Sequence, residues 1–363
     1  MTLHIFNPDH DIALASGLAN FTAPHAGRQL RHDLGFLPAI WAQEGDTILV
    51  DDVEQAQRSW SKAAHRMRVL LGIEHPSSCQ FVNKPGKEVT GVEPWGWNIA
   101  IRAQLIRLGI NELQLPATPT LETIRLLSHR QTAAQLLPKL QTEGTVGEMF
   151  ECQTQEQVEK LLARYGQLVL KAPWSSSGRG LRFLSVGRTP FEQQAGWFRN
   201  VVQSQGCVMV EPHYHKVKDF GMEFYSDGQG RVSYLGLSLF HTANGAYTGN
   251  ILATENVKRE AISHYVSIEL LDNIQEKICQ ETALLFKGKY CGPFGVDMMV
   301  TSLHPSPFTS HPSPTALHPC VEVNLRRTMG HVALALSPKD DEVRRVMRIE
   351  YSANNYLLTI NRL

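Results

Sequence analysis

Residues 168–181 read LVLKAPWSSSGRGL, and the reading of this stretch decides the fold. An apolar run of strand character delivers Lys171 into a loop of serines and glycines with little side-chain bulk. Such a loop lets backbone N–H groups approach a phosphate closely, while the lysine adds a fixed positive charge. An ammonium at the end of an apolar strand needs a partner, because an unpaired buried charge is expensive. A bound phosphate would satisfy it, and so would a neighbouring carboxylate.

Three acid-bearing strands follow in order: residues 208–214 (VMVEPHY), 294–300 (FGVDMMV) and 320–327 (CVEVNLRR). Asp297 on one, with Glu322 and Asn324 on another, offer the hard oxygen ligands that Mg²⁺ takes. Glu322 and Asn324 stand two apart, so they share one strand face while Val321 and Val323 share the other. Pairing of the Asp297 strand with theirs would bring the three side chains together. Without an adjacent cation such a group would repel, so either a metal joins it or the face is solvated. Arg326 continues the same face, and Arg327 points the other way.

The order of lysine strand, glycine-rich loop, strand-end glutamate, metal acid and Glu-x-Asn-x-Arg resembles the ATP-grasp superfamily of ligases, over roughly residues 115–336. The resemblance implies an α/β (α+β) ATP-grasp fold with three parts. These are a Rossmann-like N-terminal domain (residues 1–115), a small lid (116–204) and an antiparallel-sheet C-terminal subdomain with the metal site (205–363). By the same resemblance Ser176, Ser177, Gly178 and Gly180 form a hinged loop over the β- and γ-phosphates of ATP. Arg130, at the start of a helix, matches a basic residue that reaches phosphates; a solvated helix arginine is the other reading. Glu211, Pro212 and Tyr214 match the interdomain hinge that receives adenine, and Asp219 the acid on the ribose hydroxyls. Asp219 lies one residue beyond the commonest spacing, and a solvent-facing pair of strand-end acids is the alternative. Asp297, Glu322 and Asn324 match the Mg²⁺ ligands. Leu325 replaces the proline of the family's Glu-x-Asn-Pro-Arg, which leaves the facing of Arg326 intact. Arg326 and Lys171 are the implied catalytic residues.

The implied activity is ATP- and Mg²⁺-dependent activation of a carboxylate as an acyl phosphate, attacked by an amine or similar nucleophile. A kinase of the same fold, or a nucleotide-binding sensor without turnover, are the alternatives. The partners expected are small-molecule or peptide carboxylates and amines.

A chain of 363 residues suffices for two or three domains with large cores. Thirty-five basic residues balance thirty-five acidic ones, which argues against nucleic-acid binding through a broad basic face. The N-terminus lacks a signal-peptide pattern, and no apolar stretch approaches membrane-spanning length. Six cysteines without a C-x-x-C pair read as buried free thiols, and a cytoplasmic location is expected.

Residues 3–6 and 47–50 read as strands and 53–71 and 98–108 as helices, an alternation that suggests a small open α/β domain. Asp9, His10 and Asp11 lie just past the first strand, where functional residues of such sheets collect. Turn and cap chemistry is their ordinary reading. Helices follow at 121–127 and 130–140, the second bent or ended by Pro138; then a strand at 149–151 and a helix at 155–165. From Gly206 the chain reads as antiparallel sheet, interrupted by one long helix at 257–287. Residues 341–357 carry apolar groups at helical spacing. Residues 93–97 (EPWGW) form either an aromatic wall or core tryptophans, and the loop 241–250 (HTANGAYTGN) faces the site. Residues 303–320 repeat LHPSPFT, SHPSPTA and LHPC, so His304, His311 and His318 each precede a proline. Proline removes backbone donors, and this tract is expected to be an exposed connection between strands.

Overall fold

The computed structural model describes residues 1–73, 79–175, 178, 180–243, 246–303 and 314–363. Strands β1 (Thr2–Ile5), β2 (Thr47–Leu49), β3 (Gln80–Val82) and β4 (Gly91–Pro94) form a parallel sheet ordered β3-β2-β1-β4. The helix Val53–Leu71 joins β2 to β3 and buries Ala56, Ala63, Met67 and Leu71, a stripe at helical spacing. Asp52 caps its start by accepting from the Gln55 N–H, and Gly72 ends it with φ 66°, so sequence and structure agree on its bounds. Asn7 and Gly96 exchange hydrogen bonds of 2.9 and 3.3 Å, which tie together the loops leaving β1 and β4.

The second sheet contains β5 (Phe150–Cys152), β6 (Gln167–Lys171), β7 (Leu181–Ser185) and β8 (Val208–Pro212), ordered β5-β8-β6-β7 and antiparallel. It has its own core, in which Val158, Leu168, Leu170, Phe198 and Val210 pack together. The strand after Gly206 therefore belongs to this sheet, and Glu211 pairs across to Val169.

The third sheet is the largest: β9 (His215–Ser226), β10 (Val232–Ala243), β11 (Ala246–Leu252), β12 (Gly292–Ser302), β13 (Thr315–Asn324), β14 (Arg345–Ser352) and β15 (Asn355–Arg362). Its order is β13-β12-β9-β10-β11-β14-β15. Three expectations change here. Residues 341–357 are not helical: β14 and β15 make a hairpin turning through Ala353 and Asn354, both at positive φ. The helix expected at 257–287 is two, Glu255–Ser263 and Ile268–Phe286, because Ser267 starts a new helix by capping Leu270 N–H. The His-Pro tract is not exposed throughout. From Thr315 it is strand β13, where Leu317, His318 and Cys320 are fully buried. Proline is tolerated because β13 is an edge strand and Pro319 lies in its irregular stretch. His304 and His311 lie outside the described residues.

One core spans the ends of the chain. Phe6, Leu34, Phe36, Met67 and Trp95 cluster with Val332, Met347, Leu358 and Ile360. Trp95 meets Phe6 edge-on at 5.0 Å, so it is a core residue and not a wall of the cleft. Among the described residues no helix is long and apolar enough to cross a membrane.

Candidate active site

Asp297 on β12 stands directly opposite Glu322 on β13. Five positions of β13, from His318 to Glu322, face the three from Asp297 to Met299, so β13 bulges just before its acid. A bulge re-aims a side chain, and here it sits beside the paired acids. The Asn324 amide donates to Asp297 Oδ2 at 3.1 Å. Burial, then the charges of Glu322 and Glu223, push the Asp297 carboxyl up to about 7. Carboxylates crowded in a dry site resist ionising together.

Arg326 follows β13 and is the junction of the site. Its Nη2 donates to Asn324 Oδ1 at 3.0 Å and to Asp11 Oδ2 at 2.8 Å, and its Nε donates to Asp11 Oδ1 at 3.0 Å. Burial would raise the Asp11 carboxyl, but Arg326 outweighs it and holds the group below its usual range. The expectation that no cation adjoins the acids is corrected. Glu322 Oε2 lies 2.8 Å from Arg130 Nη1, and Arg130 is buried.

Arg130 also crosses to the glycine-rich loop. Its Nε donates to the Ala172 carbonyl at 3.1 Å and its Nη2 to Ser175 at 3.3 Å. Of the two readings of this residue, the solvated arginine is thereby excluded. Lys171 Nζ donates to Glu211 Oε1 at 2.6 Å, both side chains being under one-tenth exposed. A carboxylate thus satisfies the lysine, and the pair ties β6 to β8 diagonally across their antiparallel pairing. Gly178 has φ 71°, and a Cβ on Gly180 would lie 2.2 Å from Ser175 Oγ, so both glycines are needed for the loop's tight return. Ser176 and Ser177 lie outside the described residues.

No protein-family model matches the chain, and no curated protein matches its sequence. Solved structures do. The chain is similar to N5-carboxyaminoimidazole synthetase from Staphylococcus aureus complexed with ADP, at 12% identity and TM-score 0.50, covering 97% of this chain and 83% of that one. It is also similar to a biotin carboxylase–β-γ-ATP complex from Campylobacter jejuni, at 11% identity and TM-score 0.52, covering 98% and 77%. The fold is ATP-grasp.

In this fold the remaining sequence-derived residues line up along the two antiparallel sheets. Pro212 ends β8, and Tyr214 just beyond it meets His318 edge-on at 5.3 Å. Asp219 on β9 accepts from Lys216 and Thr242, each at 2.6 Å, so it is not a free solvent-facing acid. The Asp9 cluster departs from cap chemistry. Asp9 stands at the N-cap of the helix His10–Ser16 without a side-chain cap bond, and Asp11 reaches Arg326 instead. His10, buried and bonded to Asn98, is held neutral because burial lowers it to about 4.

Two residues escaped sequence reasoning. Glu223 is buried on β9 beside Asp297, with Oε2 3.0 Å from His331 Nδ1. A Cβ on Gly330 would fall 1.8 Å from Glu223 Oε1, so the glycine makes room for the acid. His318 was assigned to a linker, yet it packs beneath Tyr214 with both ring nitrogens unpartnered. Sequence offered a signal for His318 alone: apolar Leu317 and Cys320 around it continue the strand that carries Glu322.

Proposed function

We propose that the chain is an ATP- and Mg²⁺-dependent ligase that joins a carboxylate to an amine through an acyl phosphate. The observation that carries this reading is the convergence of Asp297, Glu322 and Asn324 with Arg326 and Arg130, the latter also bonded to Ala172 next to Lys171. Asp297, Glu322 and Asn324 fit a divalent cation, since all offer oxygen and the crowding that raises Asp297 is relieved by positive charge. Mg²⁺ bound there would neutralise charge on the phosphate oxygens.

A carboxylate oxygen attacks the γ-phosphorus of ATP, and the bond to the β-phosphate oxygen breaks, giving acyl phosphate and ADP. The amine then attacks the acyl carbon; phosphate leaves, and the amine loses a proton. Lys171 and Arg130 hold charge on the nucleotide phosphates, exchanging their present carboxylate partners for them in part. Arg326, oriented by Asp11, faces the acyl phosphate. The glycine-rich loop closes over the phosphates and keeps water from the acyl phosphate. The division into residues 1–115, 116–204 and 205–363 belongs to this reading, with β8 joining the lid sheet across the second boundary, as do the adenine-side roles of Glu211, Pro212, Tyr214 and Asp219. A cytoplasmic setting, where ATP is plentiful, accords with it.

The test is ADP release by the purified protein with Mg·ATP across panels of carboxylates and amines. Release that requires one carboxylate, rises with one amine, and falls at least a hundredfold in Glu322→Gln is expected. Nucleotide binding without ADP release for any carboxylate would overturn the proposal.

A further inference from the structure

A cavity of about 180 Å³ opens beside the loop that leaves β1. Its wall includes Asn7, Asp9, Arg28, Arg31, Gln104 and Arg107. Three guanidiniums thus face a single carboxylate, so the cavity is positive. Arg31 is only partly used: its Nη1 donates to Gln104 Oε1 at 3.0 Å and its Nε is 3.9 Å from Asp51, while its Nη2 is buried without a hydrogen-bond partner. A buried donor left unmade costs free energy comparable to a lost hydrogen bond, and more when charged. The first turn of the helix Ile99–Arg107 borders the same space through Ala100 and Ile101, and a helix start favours an anion.

Size narrows the ligand. Drug-sized molecules occupy pockets of roughly 300 Å³ or more, so this cavity suits one small oxyanion group, not a nucleotide or a folded partner. Position narrows it further. The loop that carries Asp9 into the cavity carries Asp11 to Arg326 two residues later. The same chain segment thus joins the cavity to the residue that orients Arg326.

We propose that this cavity is an oxyanion subsite, in which Arg28, Arg31 and Arg107 hold a carboxylate or phosphate group of the molecule to be ligated. The assignment of that molecule as substrate rests on the ligase reading above, whereas anion binding does not. Arg31 and Arg107 supply planar, paired donors that match either group, and the fork of Arg31 has one arm free. The substrate therefore carries a second acidic group besides the one that reacts.

Calorimetric titration of the full chain with inorganic phosphate and, separately, with succinate tests the subsite. Saturable binding of at least one is expected, weakened tenfold or more in Arg31→Gln and in Arg107→Gln. Arg107 is exposed, so its variant keeps the test open if Arg31→Gln does not fold. Arg199→Gln, on an exposed helix face elsewhere, should bind as the parent does. A preference for phosphate or for succinate identifies the group. Binding of neither anion, or equal weakening in Arg199→Gln, would overturn the subsite. Mg·ATP binding is measured on the same samples: anion binding without nucleotide binding defeats the ligase reading alone, and the converse defeats the subsite alone.

Discussion

Asp297 gives the site a pH dependence whose sign is fixed by its surroundings. Its folded carboxyl titrates near 7 against 3.8 for the ordinary group. Between those values the folded chain holds a proton that the unfolded chain has released. Stability therefore declines as pH rises from about 4 to 7 on account of this residue. Thermal melts without divalent cation should show Asp297→Asn gaining on the parent above pH 7. Mg²⁺ should restore the parent there and leave the variant unmoved; a Mg²⁺ response equal in both would sink the metal assignment. Lys171 and Glu211 form a different kind of pair, nearly dry and only 2.6 Å apart. Lys171→Met leaves a buried carboxylate alone and should cost about 3–5 kcal/mol. Adding Glu211→Leu should recover most of that stability without recovering nucleotide affinity. Recovery of both in the double variant would mean that the lysine serves the fold only.

Strand pairing imposes its own constraints, and the β11–β14 contact is the most demanding. A Cβ added at Gly249 would lie 2.5 Å from the Met347 carbonyl oxygen, a backbone atom that cannot turn aside. Gly249→Ala should cost roughly 1–3 kcal/mol in denaturant melts, and an unchanged midpoint would show that the two strands separate easily. This hairpin is also where sequence reading failed. Val343, Val346, Met347 and Ile349 repeat at a spacing that a helix and a twisted strand both accept. The deciding signal was the Ala353-Asn354-Asn355 turn, because asparagine tolerates positive φ and marks a hairpin. The helices Val53–Leu71 and Gln155–Tyr165 were legible to the residue, since each carries its own caps in sequence. Lys171, Asp297, Glu322, Asn324 and Arg326 were legible as a group from strand order and alternation. Glu223 and His318 were not, because their places depend on distant partners such as His331 and Tyr214; the Asp11 cluster was marked at its strand end, but not its bond to Arg326, 315 positions away.

At the level of the whole molecule, the lid sheet packs about its own core, whereas the N-terminal sheet shares its core with β14 and β15. The lid proposed above would move as this sheet, and its links to the rest include the hydrogen bonds from Arg130 to Ala172 and Ser175. Mg·ATP should slow amide hydrogen exchange in Leu181–Ser185 and Val208–Pro212 more than in Thr2–Ile5. Uniform protection of all three strands would argue against a moving lid. The shared core has another consequence, in the order of synthesis. Phe6 and Leu34 leave the ribosome long before Leu358 and Ile360, which complete their packing. The segment around them must therefore wait, with part of its apolar surface uncovered, until β14 and β15 have been translated. A message cut short before β14 would leave this core without Met347, Leu358 and Ile360, and such fragments should be bound by chaperones or degraded while the full chain is not.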